Sequence, residues 1–125
     1  LGAQVGHELL PDGVEPLRSR LLELADAGMR LCICTGGTGL GPRDCTPEAL
    51  LQSGAVEVEG IAEMFRSESR HYTTLVWLSR ARAVRIGRML VIALPGSPRA
   101  ARQGMEILAP ILAHAVGMAD GAAQA

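Results

Sequence analysis

The chain has 125 residues, a net charge of -1 and 48% hydrophobic residues, which suits a single domain whose core needs neither disulfides nor metal. With one Trp, one Tyr and one Phe, that core must be aliphatic, which favours helices packed on a sheet. Every basic residue is Arg, which excludes lysine chemistry; no basic block points to nucleic acid, and the longest apolar run, Met89 to Pro95, is too short to span a bilayer.

The chain opens at Leu1 rather than Met, in a segment that reads like the interior of a domain, so further sequence upstream is expected. Glu15-Pro16 starts a predicted helix with Leu17, Leu21, Leu24 and Ala25 at three- and four-residue spacing, closed by Asp26-Ala27-Gly28. Arg30 to Thr35 is a short apolar strand ending in glycines. Cys32 and Cys34 lie on that strand and are expected on opposite sheet faces. With Cys45 they form neither a disulfide framework nor a zinc spacing, which points to a reducing cytoplasm.

Thr46-Pro47-Glu48 is a helix-start signal: a hydroxyl as N-cap, proline at the first helical position and an acid in the first turn. The helix should run to about Ser53 and stop at Gly54. Val56 and Val58 alternate with Glu57 and Glu59, as a brief edge strand or an extended link. Ile61 to Arg70 reads as an amphipathic helix, and Tyr72 to Arg80 as a short helix or irregular crossing segment. Ala83 to Ile86 with Gly87 reads as a tight turn into a second buried strand, Met89 to Leu94. Ser97-Pro98 caps a helix to about Leu108 that continues after Pro110 to Met118, leaving a frayed tail from Ala119 to Ala125.

Both apolar strands thus end in glycine-containing loops, 35–46 and 94–99. In open α/β sheets ligands settle at the carboxyl ends of strands, so the two loops should share one crevice. In the first loop four glycines fall in six positions, allowing positive φ and close approach of backbone N–H groups to an anion. It is neither a Walker loop nor a dinucleotide fingerprint, and a loop that merely turns the chain has the same composition. Asp44 beside such a cradle suits a magnesium ligand or an orienter of the attacking group, or else an ordinary turn residue. Arg43 could stabilise charge on a transferring phosphate or pair with Asp44 or Glu48. Glu48 reads as structural, as acids are favoured at helix starts. Cys45 has no His near it in sequence and is discounted as a nucleophile. His7, His71 and His114 form no ligand spacing, and Met64, Met89 and Met105 read as core filler.

The run from Thr35 to Ala49, Thr-Gly-Gly-Thr-Gly-Leu-Gly-Pro-Arg-Asp-Cys-Thr-Pro-Glu-Ala, resembles the signature of the molybdopterin adenylyltransferase family, which includes a domain of gephyrin. The order of later features fits too: Gly60 with Glu63-Met64-Phe65-Arg66, Leu78-Ser79-Arg80 and Leu94-Pro95-Gly96-Ser97-Pro98. The resemblance implies an α/β fold, a three-layer α/β/α sandwich with a mostly parallel sheet, here lacking the family's first strand. That strand ends in Ser-Asp-Ser-like residues, and nothing before Leu1 supplies it. Cys45 and Phe65 also depart from the family's usual residues.

The implied reaction is attack of the terminal phosphate of molybdopterin on the α-phosphate of Mg-ATP, giving adenylylated molybdopterin and pyrophosphate. On this resemblance Thr35, Gly36, Gly37, Thr38 and Gly39 bind phosphate, Pro95, Gly96 and Ser97 line the same pocket, and Asp44 is the catalytic or Mg²⁺-positioning acid, with Arg43 beside it. It implies a molybdopterin-binding domain over residues 1–118 with a flexible tail at 119–125. It also implies a cytoplasmic homotrimer that serves other molybdenum cofactor enzymes and binds neither nucleic acid nor membrane. A non-catalytic pterin-binding or scaffold domain, within a fusion, is the alternative.

Overall fold

The computed structural model describes residues 5–53 and 56–121. Its elements run α1 (Val14–Asp26), β1 (Leu31–Thr35), α2 (Thr46–Leu51), β2 (Val56–Glu57), α3 (Glu59–Ser69), a 3-10 turn (Thr74–Leu78), β3 (Arg82–Ile86), β4 (Met89–Leu94) and α4 (Pro98–Ala119). Gly54, the expected stop of α2, and residues 122–125 of the expected tail lie outside the described residues. Among those described, α4 extends through Ala119, and Asp120 just beyond it pairs with Arg30 at 2.6 Å.

The strands order as β1-β4-β3-β2 in one sheet. β1 pairs with β4 in parallel, Leu31 opposite Leu90 through Thr35 opposite Leu94, while β3 is antiparallel to both β4 and β2. Three of the four strands therefore point the same way, and β3 alone is reversed. The segment expected as a turn before β4 is that reversed strand: Ala83 to Ile86 form the first arm of a hairpin turning at Gly87, whose φ is +59°. Arg82 and Arg85, both partly exposed, broke its apolar pattern, although Ala83, Val84 and Ile86 are buried.

All six residues of β4 are buried, as befits an interior strand covered on both faces. Leu90, Ile92 and Leu94 pack with Phe65, Leu108 and Leu112 of α3 and α4; Met89, Val91 and Ala93 pack with Leu21 and Leu50 of α1 and α2. Two helices on each face make the three layers. Cys32 and Cys34 both join the α1/α2 side, correcting the expectation of opposite faces: residues two apart on a strand share a face.

Local chemistry sets the helix ends. After α1 the Gly28 N–H donates to Ala25 O and the Met29 N–H to Leu24 O, with Gly28 at φ +92°, so glycine supplies the left-handed residue that ends the helix and turns the chain into β1. Thr46 is the first residue of α2 rather than its cap; Cys45 takes the capping position without a side-chain bond. On α4, Gly104 lies so close to Phe65 and Leu94 that a Cβ would sit 3.0–3.1 Å from their side chains. Its lack of a side chain lets α4 settle on the sheet with its first turn beside the end of β4.

Candidate functional site at the ends of two parallel strands

Because β1 and β4 are parallel neighbours, the loops that follow them leave the sheet side by side. The Gly36 N–H donates to Leu94 O at 2.9 Å, extending the ladder one residue past the strand. Gly96 then passes so close that a Cβ on it would stand 3.0 Å from Gly36 Cα. The two loops thus meet backbone to backbone and form the floor of a cleft of about 520 Å³, lined by Gly36, Gly37, Thr38, Gly39 and Asp44 on one side and Pro95 and Gly96 on the other.

The glycine loop is bent by two consecutive positive-φ residues, Gly36 at +96° and Gly37 at +70°. A Cβ on Gly37 would collide with Thr46 Oγ1, and the Thr46 hydroxyl donates to Gly36 O at 2.9 Å while the Thr46 N–H donates to Gly37 O. The hydroxyl expected to cap α2 thus holds the loop instead. Further along, Asp44 Oδ2 accepts the Gly41 N–H at 2.9 Å, and a Cβ on Gly39 or Gly41 would crowd that oxygen, so the glycines let the carboxylate fold beneath the loop.

None of the hydrogen bonds among the described residues uses the N–H groups of Gly37, Thr38, Gly39 or Leu40. Backbone donors seek a partner, and four in succession along the wall of a cleft form a cradle for an anion. Thr35, Arg43 and Ser97 are exposed and stand outside the lining. Ser97 caps α4 through the Ala100 N–H at 3.4 Å, and Arg43 sits at the loop's tip.

Sequence reasoning missed the opposite wall: Thr73, Leu75, Val76, Leu78 and Ser79, on and around the 3-10 turn, line the cleft. It also missed Arg80. The Arg80 N–H donates to Thr38 O at 2.7 Å, its Nε to Gly39 O at 2.8 Å, one terminal nitrogen to Asp44 O at 2.6 Å and the other to Glu48. The guanidinium beside Glu48 holds that carboxyl below its ordinary range, so Glu48 is an ion-pair partner of Arg80 and not of Arg43. The Leu78-Ser79-Arg80 run was visible in the sequence; that its arginine reaches back some forty residues was not.

Asp44 is the one carboxylate lining the cleft among the described residues, and no group of three His, Cys, Asp or Glu among them could hold a metal of its own. That donor set fits a Mg²⁺ ion carried in on substrate phosphates, which needs only one or two carboxylates from the protein. Neither sheet cysteine lines the cleft: the Cys32 thiol and burial push Cys34 up, while the hydrogen bond with Cys34 lowers Cys32. His7, His71 and His114 are exposed and away from the cleft. No helix among the described residues is long and apolar enough to cross a membrane.

Comparison with known proteins bears on the family and the fold. A family model described as "Probable molybdopterin binding domain" matches residues 1–114. The chain is 47% identical over 95 residues to a molybdenum cofactor biosynthesis bifunctional protein of Synechococcus elongatus, covering 76% of this chain and 30% of that protein. It is 37% identical over 99 residues to a molybdopterin adenylyltransferase of Haemophilus influenzae, covering 78% of this chain and 50% of that one. Among solved structures it is similar to the molybdopterin biosynthesis enzyme MoaB of Thermus thermophilus, at 40% identity and a TM-score of 0.79, over 89% of this chain and 70% of that one. The chain thus spans half or less of these two curated relatives.

Proposed function

The chain belongs to the family of molybdopterin-binding domains of molybdenum cofactor biosynthesis, and on that premise we propose that it adenylylates molybdopterin with Mg-ATP. The observation that carries this reading is the run of unpartnered amides, Gly37 to Leu40, facing a cleft that also holds Asp44. The terminal phosphate oxygen of molybdopterin attacks the α-phosphorus of ATP; a new P–O bond forms, the bond from the α-phosphorus to the bridging oxygen breaks, and pyrophosphate leaves with that electron pair. Such a transfer needs positioning and charge neutralisation more than covalent help.

Each residue then has a task. The amides of the glycine loop hold phosphate, Thr35 closing the strand behind them, and Pro95 and Gly96 form the facing edge, with Ser97 just outside it capping α4. Asp44 orients the attacking phosphate and offers an oxygen to Mg²⁺, which supplies charge neutralisation when bound. Arg43, exposed and without an ion pair among the described residues, lends positive charge to the transferring group. A homotrimer belongs to the same reading, supported by the exposure of Leu75, Trp77 and Leu78 at 69, 55 and 54%. A cytoplasmic setting is supported by three free cysteines.

The single carboxylate favours a second reading, in which the domain holds the pterin for another cofactor enzyme without turning it over. Incubation with molybdopterin and Mg-ATP, followed by oxidation to a fluorescent derivative and chromatography, separates the two. Adenylylated pterin supports the transferase, and pterin binding without product supports the scaffold. In the first case Asp44→Asn should lower turnover by about 100-fold, the scale of losing one electrostatic partner of a transition state, at an unchanged melting temperature. An unchanged rate would remove Asp44 from the mechanism.

A further inference from the structure

We propose that Arg80 is a positioning residue that aims the phosphate-binding amides of the glycine loop into the cleft. In a planar trans peptide the C=O of one residue and the N–H of the next point in opposite directions. Arg80 holds two consecutive carbonyls: its own N–H takes Thr38 O and its Nε takes Gly39 O. The N–H groups of Gly39 and Leu40 are thereby turned to the side away from Arg80. That side is the cleft, because Gly39 and Leu40 line it while Arg80 does not, bordering instead a second hollow with Arg66 and Arg82.

Arg80 does this through the backbone and not by touching a ligand. Three of its five guanidinium N–H donors are engaged by Gly39 O, Asp44 O and Glu48, and Arg80 is not among the residues that line the cleft. The bond to Asp44 O adds a second effect, fixing the main chain of the carboxylate that shares the cleft. Glu48 in turn holds the guanidinium plane from the first turn of α2. A lysine could keep the charge here but lacks the fork that spans three acceptors in fixed directions.

The role rests on the phosphate-cradle part of the proposed function, and its test needs no turnover. Amide shifts in ¹⁵N-labelled protein, titrated with inorganic pyrophosphate, should move most at Gly39 and Leu40. In Arg80→Lys the affinity for pyrophosphate should fall about tenfold or more, the scale of a misaimed binding group, while melting shifts by only a few degrees. Glu48→Gln, which leaves both loop carbonyls engaged, should weaken binding less than Arg80→Lys does. If Gly39 and Leu40 stay still while pyrophosphate binds, or if folded Arg80→Lys binds it as tightly as the parent, the assignment is overturned. Should Arg80→Lys fail to fold, the wild-type shifts and the Glu48→Gln affinity decide it. A chain that binds pyrophosphate through these amides yet yields no adenylylated pterin loses the transferase reading and keeps Arg80's role.

Discussion

The two loops that meet at the cleft are built on different principles. The 94–98 loop has a local fixing of its own, Ser97 capping the helix that follows within three residues, and it shares with the glycine loop the bond from the Gly36 N–H to Leu94 O. The glycine loop is held mainly from a distance, by the Thr46 hydroxyl and above all by Arg80, whose partners in the loop lie 36 to 42 residues away in sequence. A loop with local fixings recovers from the loss of one of them. A loop strapped by a remote side chain loses its aim with it.

The sharpest way to break this contrast is Gly37→Ala. The new Cβ would collide with Thr46 Oγ1 at a φ of +70°, so loss of about 3 kcal/mol in urea unfolding and of measurable pyrophosphate binding is expected. Full stability in that variant would mean the loop is free to rearrange. Ser97→Ala touches the locally held loop and should cost about 0.5–1 kcal/mol, the lower range for a lost cap, with binding nearly unchanged; a larger binding defect would erase the distinction.

The smallest effect concerns pH. Glu48 is held below its ordinary range by Arg80, so its contribution is fully present above the unfolded-state carboxyl value and fades as pH falls through the lowered one. The stability gap between the parent and Glu48→Gln should therefore narrow from pH 7 to strongly acid solution; a gap that persists in acid would detach Glu48 from the ion pair.

Sequence patterns carried α1, β1, β4 and α4 because each has a run of apolar residues and a local stop signal, Gly28 and Ser97-Pro98 among them. They failed at β3, where Arg82 and Arg85 on alternate faces masked a strand whose other residues are buried. The glycine loop and its nearness to the loop after β4 were legible from the rule that strand ends gather ligands. The far wall on the 3-10 turn was not, since Leu75 and Leu78 read as any apolar residue does. Arg80 escaped notice for a physical reason: its bonds go to carbonyls, which every residue possesses, so no side-chain pattern announces them.

The parallel pairing of β1 with β4 carries a consequence for how the protein assembles. The two strands lie far apart in the sequence, with α2, α3 and the first arm of the hairpin between them, so their loops cannot meet until nearly the whole chain has folded. Whatever bridges the two loops is bound by the finished fold alone and adds its binding energy to the stability of the entire domain. Thermal shift is accordingly a sensitive screen for ligands here, and a chain cut anywhere between the strands would lose the cleft as a unit.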